Sequence, residues 1–310
     1  MTAPALRFHD LRKRFGATEA LRGLSLEVPR GSLFGLIGPN GAGKTTAFSI
    51  ACGFLNADGG EVSILGQGPF EPGRLKGRLT ALPQDAALGG ETRCLEHLLF
   101  YGQLQGMSAA EARRQGEQLL EEVGLGDRRQ SRAKTLSHGM LRRLTVAQAL
   151  LGSPELVLLD EPTSGLDPRH AHELRDLLRR THRQGRTLVI SSHNLPELEA
   201  LCDQVAFVDR GVVVAAGATD AVTGKGQEVE IELGAGPAPV EAVSRALGAE
   251  GDRVSWDEAR RVLHLRFVPV AGRAAEEVIG LALRALLDGG ARIAGVRRGT
   301  SLEQKFLQMT

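Results

Sequence analysis

The residues with the most direct chemistry form the segment Gly38-Pro39-Asn40-Gly41-Ala42-Gly43-Lys44-Thr45, which matches G-x-x-x-x-G-K-[ST]. It follows the apolar run Leu33 to Ile37 and opens a helical run from Thr46 to Phe54, which is the strand-to-helix context the motif requires. Glycines let successive backbone N–H groups curl around phosphate oxygens, and a helix N-terminus adds the positive end of its dipole. Residues 38 to 46 therefore read as a phosphate wrap, with Lys44 reaching the terminal phosphates, Thr45 able to ligate magnesium and Thr46 at its end. A second chemical cluster closes the run Leu156-Val157-Leu158-Leu159-Asp160-Glu161. Here a buried strand ends on two carboxylates: Asp160 can hold a magnesium shell, and Glu161 can take a proton from water.

Positioning such groups requires strands that end together. Leu33 to Ile37, Leu79 to Leu82, Leu156 to Leu159 and Thr187 to Ser191 are short, mostly apolar and followed by polar or glycine residues, so each reads as a buried strand. Gly38, Gln84, Asp160 with Glu161, and His193 each fall just after one of them. Ligands of open parallel sheets bind beyond the carboxyl ends of the strands, so these residues are expected at one sheet edge. Residues 1–223 alternate strand and helix patterns, an α/β domain, with a helical subdomain over about 92–152 marked by Leu95, Leu98 and Leu99 and then Leu119, Leu120 and Val123. Two apolar runs around Asp209-Arg210-Gly211 read as a hairpin, and Gly224-Lys225-Gly226 as a linker. Residues 227–310 form a small α/β domain, with strands over Val229 to Leu233, Val262 to Val268 and Arg292 to Val296. Val278, Leu281, Ala285 and Leu286 mark one face of its helix, and Trp256 is read as a core residue.

Composition narrows the field. The 310 residues are 42% hydrophobic and 24% charged, the balance of a globular protein, and 38 Lys and Arg against 37 Asp and Glu give a formal charge of +1. No overall field draws the chain to nucleic acid or anionic lipid. The basic cluster Arg128, Arg129, Arg132, Lys134, Arg142 and Arg143 lacks interleaved aromatics and reads as a solvated face. The 3 cysteines, Cys52, Cys94 and Cys202, lie far apart, which argues against a disulfide framework or a zinc site and fits a reducing cytoplasm. No apolar run approaches the roughly 20 residues of a membrane span, and the opening residues lack a signal-peptide stretch, so a cytoplasmic protein is expected.

These motifs together resemble the ATP-binding subunit of an ATP-binding-cassette transporter over residues 5 to 217. The discriminating segment is Leu136-Ser137-His138-Gly139-Met140, followed by a helical run and then the carboxylate strand. The resemblance implies a P-loop NTPase cassette: a mostly parallel sheet, an antiparallel β subdomain and a helical subdomain, with the small C-terminal α/β domain appended. It further implies that Phe15 stacks on adenine, that Gln84 senses magnesium and the permease, that Asp167 lies in the Ser164-Gly165-Leu166-Asp167 loop linking two subunits, and that His193 contacts the terminal phosphate. ATP and Mg2+ would be bound, with Thr45, Gln84 and Asp160 around the metal. Two copies would sandwich ATP, with Ser137 and Gly139 facing the nucleotide of the other copy. His138 and Met140 stand where the commonest family form has Gly and Gln. This variant resembles cassettes paired with a separate exporter-type permease on the inner face of the cell membrane, often for drug, antibiotic or lipid export, and Ser301 to Leu307 resembles the end of that subgroup. The segment Gln84 to Tyr101, with Leu88, Leu95, Leu98 and Phe100, is the expected permease-docking face, some of these residues being core as well. A soluble cassette ATPase acting on nucleic acid or the ribosome is the alternative, and a nucleotide-binding regulator without turnover a second one; neither a paired cassette nor zinc cysteines nor a long coiled coil supports the former.

Overall fold

The computed structural model describes residues 3–86, 88–223, 228–248, 254–266, 275–299 and 302–309. It divides into two compact units, Met1–Gly217 and Ala218–Thr310, a few residues upstream of the boundary read from the sequence. The expected linker Gly224 to Gly226, and Ser301 of the C-terminal motif, lie outside the described residues.

The first unit opens with a long antiparallel pair, β1 (Leu6–Phe15) and β2 (Thr18–Val28). Leu6, Phe8 and Leu11 of β1 and Leu21, Leu24, Leu26 and Val28 of β2 point inward, while the intervening positions are mostly polar or exposed. That alternation is what one buried sheet face demands. A third strand, β4 (Gly59–Ile64), pairs with the free side of β1. The second sheet has six strands in the order β5-β6-β7-β3-β8-β9. They are β3 (Leu33–Ile37), β5 (Leu79–Leu82), β6 (Leu156–Asp160), β7 (Thr187–Ser192), β8 (Gln204–Asp209) and β9 (Val212–Ala218). The neighbours β5 and β6, β6 and β7, β7 and β3, and β3 and β8 are parallel. Strands β3, β6 and β7 are buried at every position, which explains their almost unbroken apolar sequences. All four strands read from the sequence are present, within a residue at their ends.

Helix α1 (Lys44–Ala51) follows β3, the single turn α2 (Pro72–Leu75) precedes β5, α6 (Pro168–Arg183) follows β6, and α7 (Leu195–Leu201) follows β7. Between β5 and β6 lie α3 (Cys94–Leu104), α4 (Ala109–Glu122) and α5 (His138–Leu150), the expected helical subdomain. Leu95 and Leu98 are fully inside it, so they are core rather than docking residues; Phe100 and Leu104 are the large apolar side chains that α3 exposes. The basic cluster also divides. Arg128, Arg129, Arg132 and Lys134 form exposed ion pairs with Asp127, Glu121 and Glu91, whereas Arg142 and Arg143 are buried. The solvated-face reading fails for these two because backbone carbonyls, not water, satisfy their guanidinium groups. All three cysteines are free and buried, and burial pushes the Cys52 thiol up to about 12.

The second unit begins with the short helix α8 (Thr219–Val222). It continues as β10 (Glu228–Leu233), α9 (Val240–Leu247), β11 (Val254–Asp257), β12 (Val262–Arg266), α10 (Ala275–Asp288), β13 (Ile293–Arg298) and α11 (Leu302–Met309). The sheet order is β11-β12-β10-β13, with every neighbouring pair antiparallel. From β10 to β13 this is the strand-helix-strand-strand-helix-strand arrangement of ferredoxin-like domains. Val229, Ile231 and Leu233 alternate with Glu228, Glu230 and Glu232, sending one side of β10 into a core with Val243, Leu263, Leu265, Val278 and Leu286. Trp256 is half-buried on edge strand β11 and packs against that core rather than within it. Strand β12 is described to Arg266; the predicted continuation to Val268 lies outside the described residues. Among the described residues, no helix is long and apolar enough to cross a membrane.

Candidate nucleotide site

The loop from Gly38 to Gly43 joins β3 to α1, and its backbone leaves no room for side chains at two points. A Cβ on Gly38 would lie 2.3 Å from the Val208 carbonyl oxygen on β8. Gly43 has a φ of 106°, and a Cβ there would lie 2.7 Å from the Ala20 carbonyl oxygen. The loop is thereby pressed onto the sheet, while Pro39, Asn40 and Gly41 face solvent. Gly43 caps α1 without a side-chain acceptor, so the first N–H groups of the helix stay available to an anion. Lys44 is buried, with Nζ donating to the carbonyl oxygens of Gly38 at 2.6 Å and Pro39 at 3.1 Å. Burial pulls its ammonium below the usual lysine value, and nearby Glu161 and Asp160 oppose that shift.

The end of β6 lies alongside. Thr45 Oγ1 donates to Asp160 Oδ2 at 2.8 Å, and Ser191 Oγ donates to Asp160 Oδ1. A hydroxyl and a carboxylate oxygen set side by side are hard donors of the kind magnesium takes. Glu161 follows with a φ of 51°, a left-handed conformation that costs a residue with a side chain roughly 1–3 kcal/mol and persists where surroundings enforce it. Its N–H donates to the Ser191 carbonyl at 3.1 Å. Its Oε1 accepts the His193 backbone N–H at 2.9 Å and lies 2.9 Å from His193 Nδ1, while Ser192 Oγ lies 3.4 Å from Oε2. Glu161 is thus held by the last two residues of β7 and by His193 just after it, whereas the His193 ring is largely exposed.

The four sequence-predicted positions Gly38, Gln84, Asp160 with Glu161, and His193 lie at or just beyond the ends of β3, β5, β6 and β7, strands that run parallel and side by side. Gln84 is exposed and its carbonyl accepts Arg142 Nη1 at 3.2 Å. Phe15, at the end of β1, is 48% exposed, with Lys13 Nζ 5.6 Å from its ring centre, which leaves a ring available for stacking. Ser137 caps α5 by accepting the Met140 N–H at 3.3 Å, and Asp167 caps α6 through the His170 N–H at 3.0 Å. Hydrogen bonds and close contacts therefore connect Thr45 with Asp160 and Glu161 with His193, while Ser137 and Asp167 are bonded as caps of their own helices. Gly139 and His138 do meet the 164–167 loop. A Cβ on Gly139 would lie 3.3 Å from Leu166 Cδ2, and one on Gly165 would lie 2.6 Å from His138 Cδ2.

Sequence reasoning missed Arg142, Ser191, Ser192 and the pair of half-buried Thr163 Oγ1 and buried Glu197 Oε2 at 2.8 Å. Two serines closing an otherwise apolar strand were a usable signal, since a buried hydroxyl needs a partner.

Comparison with known proteins gives the same picture. A family model described as ABC transporter matches residues 21–164. The chain is 33% identical over 311 residues to the daunorubicin/doxorubicin resistance ATP-binding protein DrrA of Streptomyces peucetius, spanning 99% of this chain and 92% of that one. It is 34% identical over 230 residues to the linearmycin resistance ATP-binding protein LnrL of Bacillus subtilis, 74% of each chain. It is 37% identical over 235 residues to the Nod factor export ATP-binding protein I of Burkholderia lata, 76% of this chain and 75% of that one. A solved ATP-binding subunit of an ABC transporter superposes with a TM-score of 0.65 at 30% identity, covering 70% of this chain and 91% of that one. A nucleotide-free ATP-binding cassette gives 0.61 at 27% identity, covering 69% and 91%. With the phosphate loop after β3 and the carboxylates at the end of β6, two parallel strands that flank β7 in one sheet, and with this likeness along the whole chain, the protein belongs to the ABC transporter family as an ATP-binding, ATP-hydrolysing subunit.

Proposed function

We propose that the chain hydrolyses ATP at the Gly38–Glu161 edge to drive export of a drug, antibiotic, lipid or similar compound through a separate membrane permease, working as a homodimer at the inner face of the cell membrane. The observation that carries the export reading is the likeness to a drug-resistance ATP-binding protein over 99% of the chain. The N–H groups of residues 40–45 and Lys44 bind the phosphates, and Phe15 offers its ring to the adenine. Thr45, Asp160 and Gln84 are the residues that would hold magnesium, which when bound would neutralise phosphate charge. Glu161 is the general base: an Oε atom accepts a proton from water as the water oxygen bonds to the terminal phosphorus and the bond to ADP breaks. The 2.9 Å contact between Glu161 and His193 orients that carboxylate and leaves the exposed ring edge for the terminal phosphate. Ser137 and Gly139, at the start of α5, face the nucleotide held by the second copy, since the chain's own phosphates are already wrapped by residues 38–46.

The test is genetic and biochemical at once. In a strain lacking this chain, efflux of amphipathic compounds should fall and return with the wild-type chain but not with Glu161→Gln. An identified permease should copurify. Equal restoration of efflux by Glu161→Gln would overturn the catalytic assignment, and unchanged efflux with no membrane partner would overturn the export reading.

A further inference from the structure

Arg142 lies in the second turn of α5, 7% exposed, five residues beyond the α5 cap Ser137. Its guanidinium reaches out of the helical subdomain to three backbone carbonyls. Nη1 donates to Gln84 O at 3.2 Å, and Nη2 donates to Glu161 O at 2.7 Å and to Asp160 O. Its Nε is buried without a hydrogen-bond partner. A buried cation with one orphaned N–H is an expensive arrangement, tolerated here beside the carboxylates of Asp160, Glu161 and Asp85. The planar fork is also the one side-chain shape that serves several acceptors from a fixed direction; an ammonium on a flexible stem does not reproduce it.

The three carbonyls belong to two loops. One follows β5 and carries Gln84; the other ends β6 and carries both carboxylates. Glu161 sits there in a left-handed conformation, so its backbone has an alternative to relax into unless something holds the peptide. The geometry points to Arg142 as a positioning residue for hydrolysis: it clamps the Asp160–Glu161 peptides to the Gln84 loop and to α5, so that the Glu161 carboxylate keeps its aim and moves only with Gln84. This inference rests on the reading of Glu161 as the base. The hydrogen bonds of Arg142 go to backbone carbonyls, so its effect on hydrolysis is exerted through Glu161.

The clamp makes a prediction that a merely structural arginine does not. In the full chain, Arg142→Lys retains a cation but loses the fork. With ATP and magnesium its kcat should fall about 10- to 100-fold, the usual consequence of misplacing a catalytic group by roughly an ångström. KM for ATP should stay within about twofold, because the phosphate loop is untouched. Arg142→Gln, which keeps a neutral donor, should behave in the same way and serves if the lysine variant does not fold; circular dichroism monitors both. The decisive measurement is single-turnover hydrolysis of radiolabelled ATP by Glu161→Gln with and without the Arg142 change. If Arg142 acts through Glu161, the double variant is no slower than Glu161→Gln alone. A folded Arg142 variant with wild-type kcat beside an inactive Glu161→Gln overturns the proposal alone, as does a double variant slowed by the product of both effects. Wild-type turnover by Glu161→Gln would sink the base reading and the proposal with it.

Discussion

The carboxyl edge of the six-stranded sheet and the four-stranded sheet of the second unit treat charge in opposite ways. At the first, Lys44, Arg142, Asp160 and Glu161 are each less than a tenth exposed and are bonded to one another's loops. On the second, the acidic positions of β10 lie on the side away from its apolar core. Glu228 pairs with Arg266 at 3.3 Å and Lys305 at 3.2 Å, and Glu230 lies 3.4 Å from His264 Nδ1. Burying an ion costs several kcal/mol that its partners only partly return, so a fold that buries four together gives up stability for what they do. The difference teaches where chemistry resides: the first sheet concentrates buried charge at one edge, and the second pairs half-covered carboxylates one by one with cross-strand partners, of which the Arg266 and His264 side chains stay open to screening solvent.

The largest effect that tests this contrast is on turnover. Glu161→Gln should leave ATP binding intact and lower hydrolysis by roughly 10²- to 10⁴-fold, the usual worth of a positioned general base. Nucleotide titration and steady-state phosphate release measure the two quantities. A variant that turns over at the wild-type rate would remove the reason offered for burying the carboxylate.

Next comes packing, where the two units should respond with opposite signs to the same added methyl group. Gly38→Ala sets a Cβ 2.3 Å from the backbone oxygen of Val208, which cannot swing aside as a side chain would. It should destabilise the chain by about 1–3 kcal/mol, as overpacking does, and weaken ATP binding. Gly280, exposed on α10, has nothing within 4 Å of where its Cβ would sit. Gly280→Ala should stabilise by about 0.5–1 kcal/mol through helix propensity alone. Urea melts of both variants decide the matter; equal signs would mean that the loop is not wedged against β8.

Glu197 sharpens the claim that the first unit spends stability on buried charge. Its carboxyl is buried in the first turn of α7, bonded to Thr163 through one oxygen, with the other unpartnered. Burial holds it above the usual carboxylate range, against the opposing pull of Thr163 and nearby Arg175. A raised carboxyl holds its proton more tightly folded than unfolded, so stability falls as pH rises from the ordinary value of about 4.3 through the raised one, and the cost is fully present above both. Glu197→Gln keeps an acceptor for Thr163 and removes the charge. It should raise stability by about 1 kcal/mol near pH 8, with the advantage closing as the pH falls below the ordinary carboxylate range. Thermal melts across that pH series check it, and an advantage that persists unchanged in acid would show that ionisation is not its source.

Much of the first region was legible in the chain because its physics is local. Strands β3, β5, β6 and β7 announce themselves as short apolar runs, and the loop motif fixes what must follow one of them. The β10 alternation was equally readable. Arg142 and Arg143 were not, because nothing in their spacing distinguishes a guanidinium in water from one aimed at the Asp160 or Val123 carbonyl; burial is decided by elements distant in sequence. Leu95 and Leu98 could not be sorted from Phe100 for the related reason that an amphipathic helix shows which side is apolar but not whether a core or a partner covers it. Strand β11 and helix α9 are short, 4 and 8 residues, so the ferredoxin-like arrangement emerged only from the pairing of strands.

The smallest effect lies in the second sheet. His264 on β12 stands directly opposite Glu230 on β10, and their side chains are 3.4 Å apart. The histidine is more than a third exposed, and Glu230 also faces Arg297 across the other strand pair, so the carboxylate keeps a cationic neighbour when the imidazole is lost. An ion pair of this kind contributes about 0–1 kcal/mol, and the contribution shrinks as salt screens it. His264→Ala should therefore shift the urea midpoint only slightly at low ionic strength, less at high ionic strength, and leave kcat and KM for ATP unchanged. The comparison breaks if this variant loses more than about 2 kcal/mol, a size reserved for packing faults and buried charges. In that case the second sheet would be carrying a desolvated charge network of its own, and its acidic strand would have to be read as a site rather than as a row of separate ion pairs.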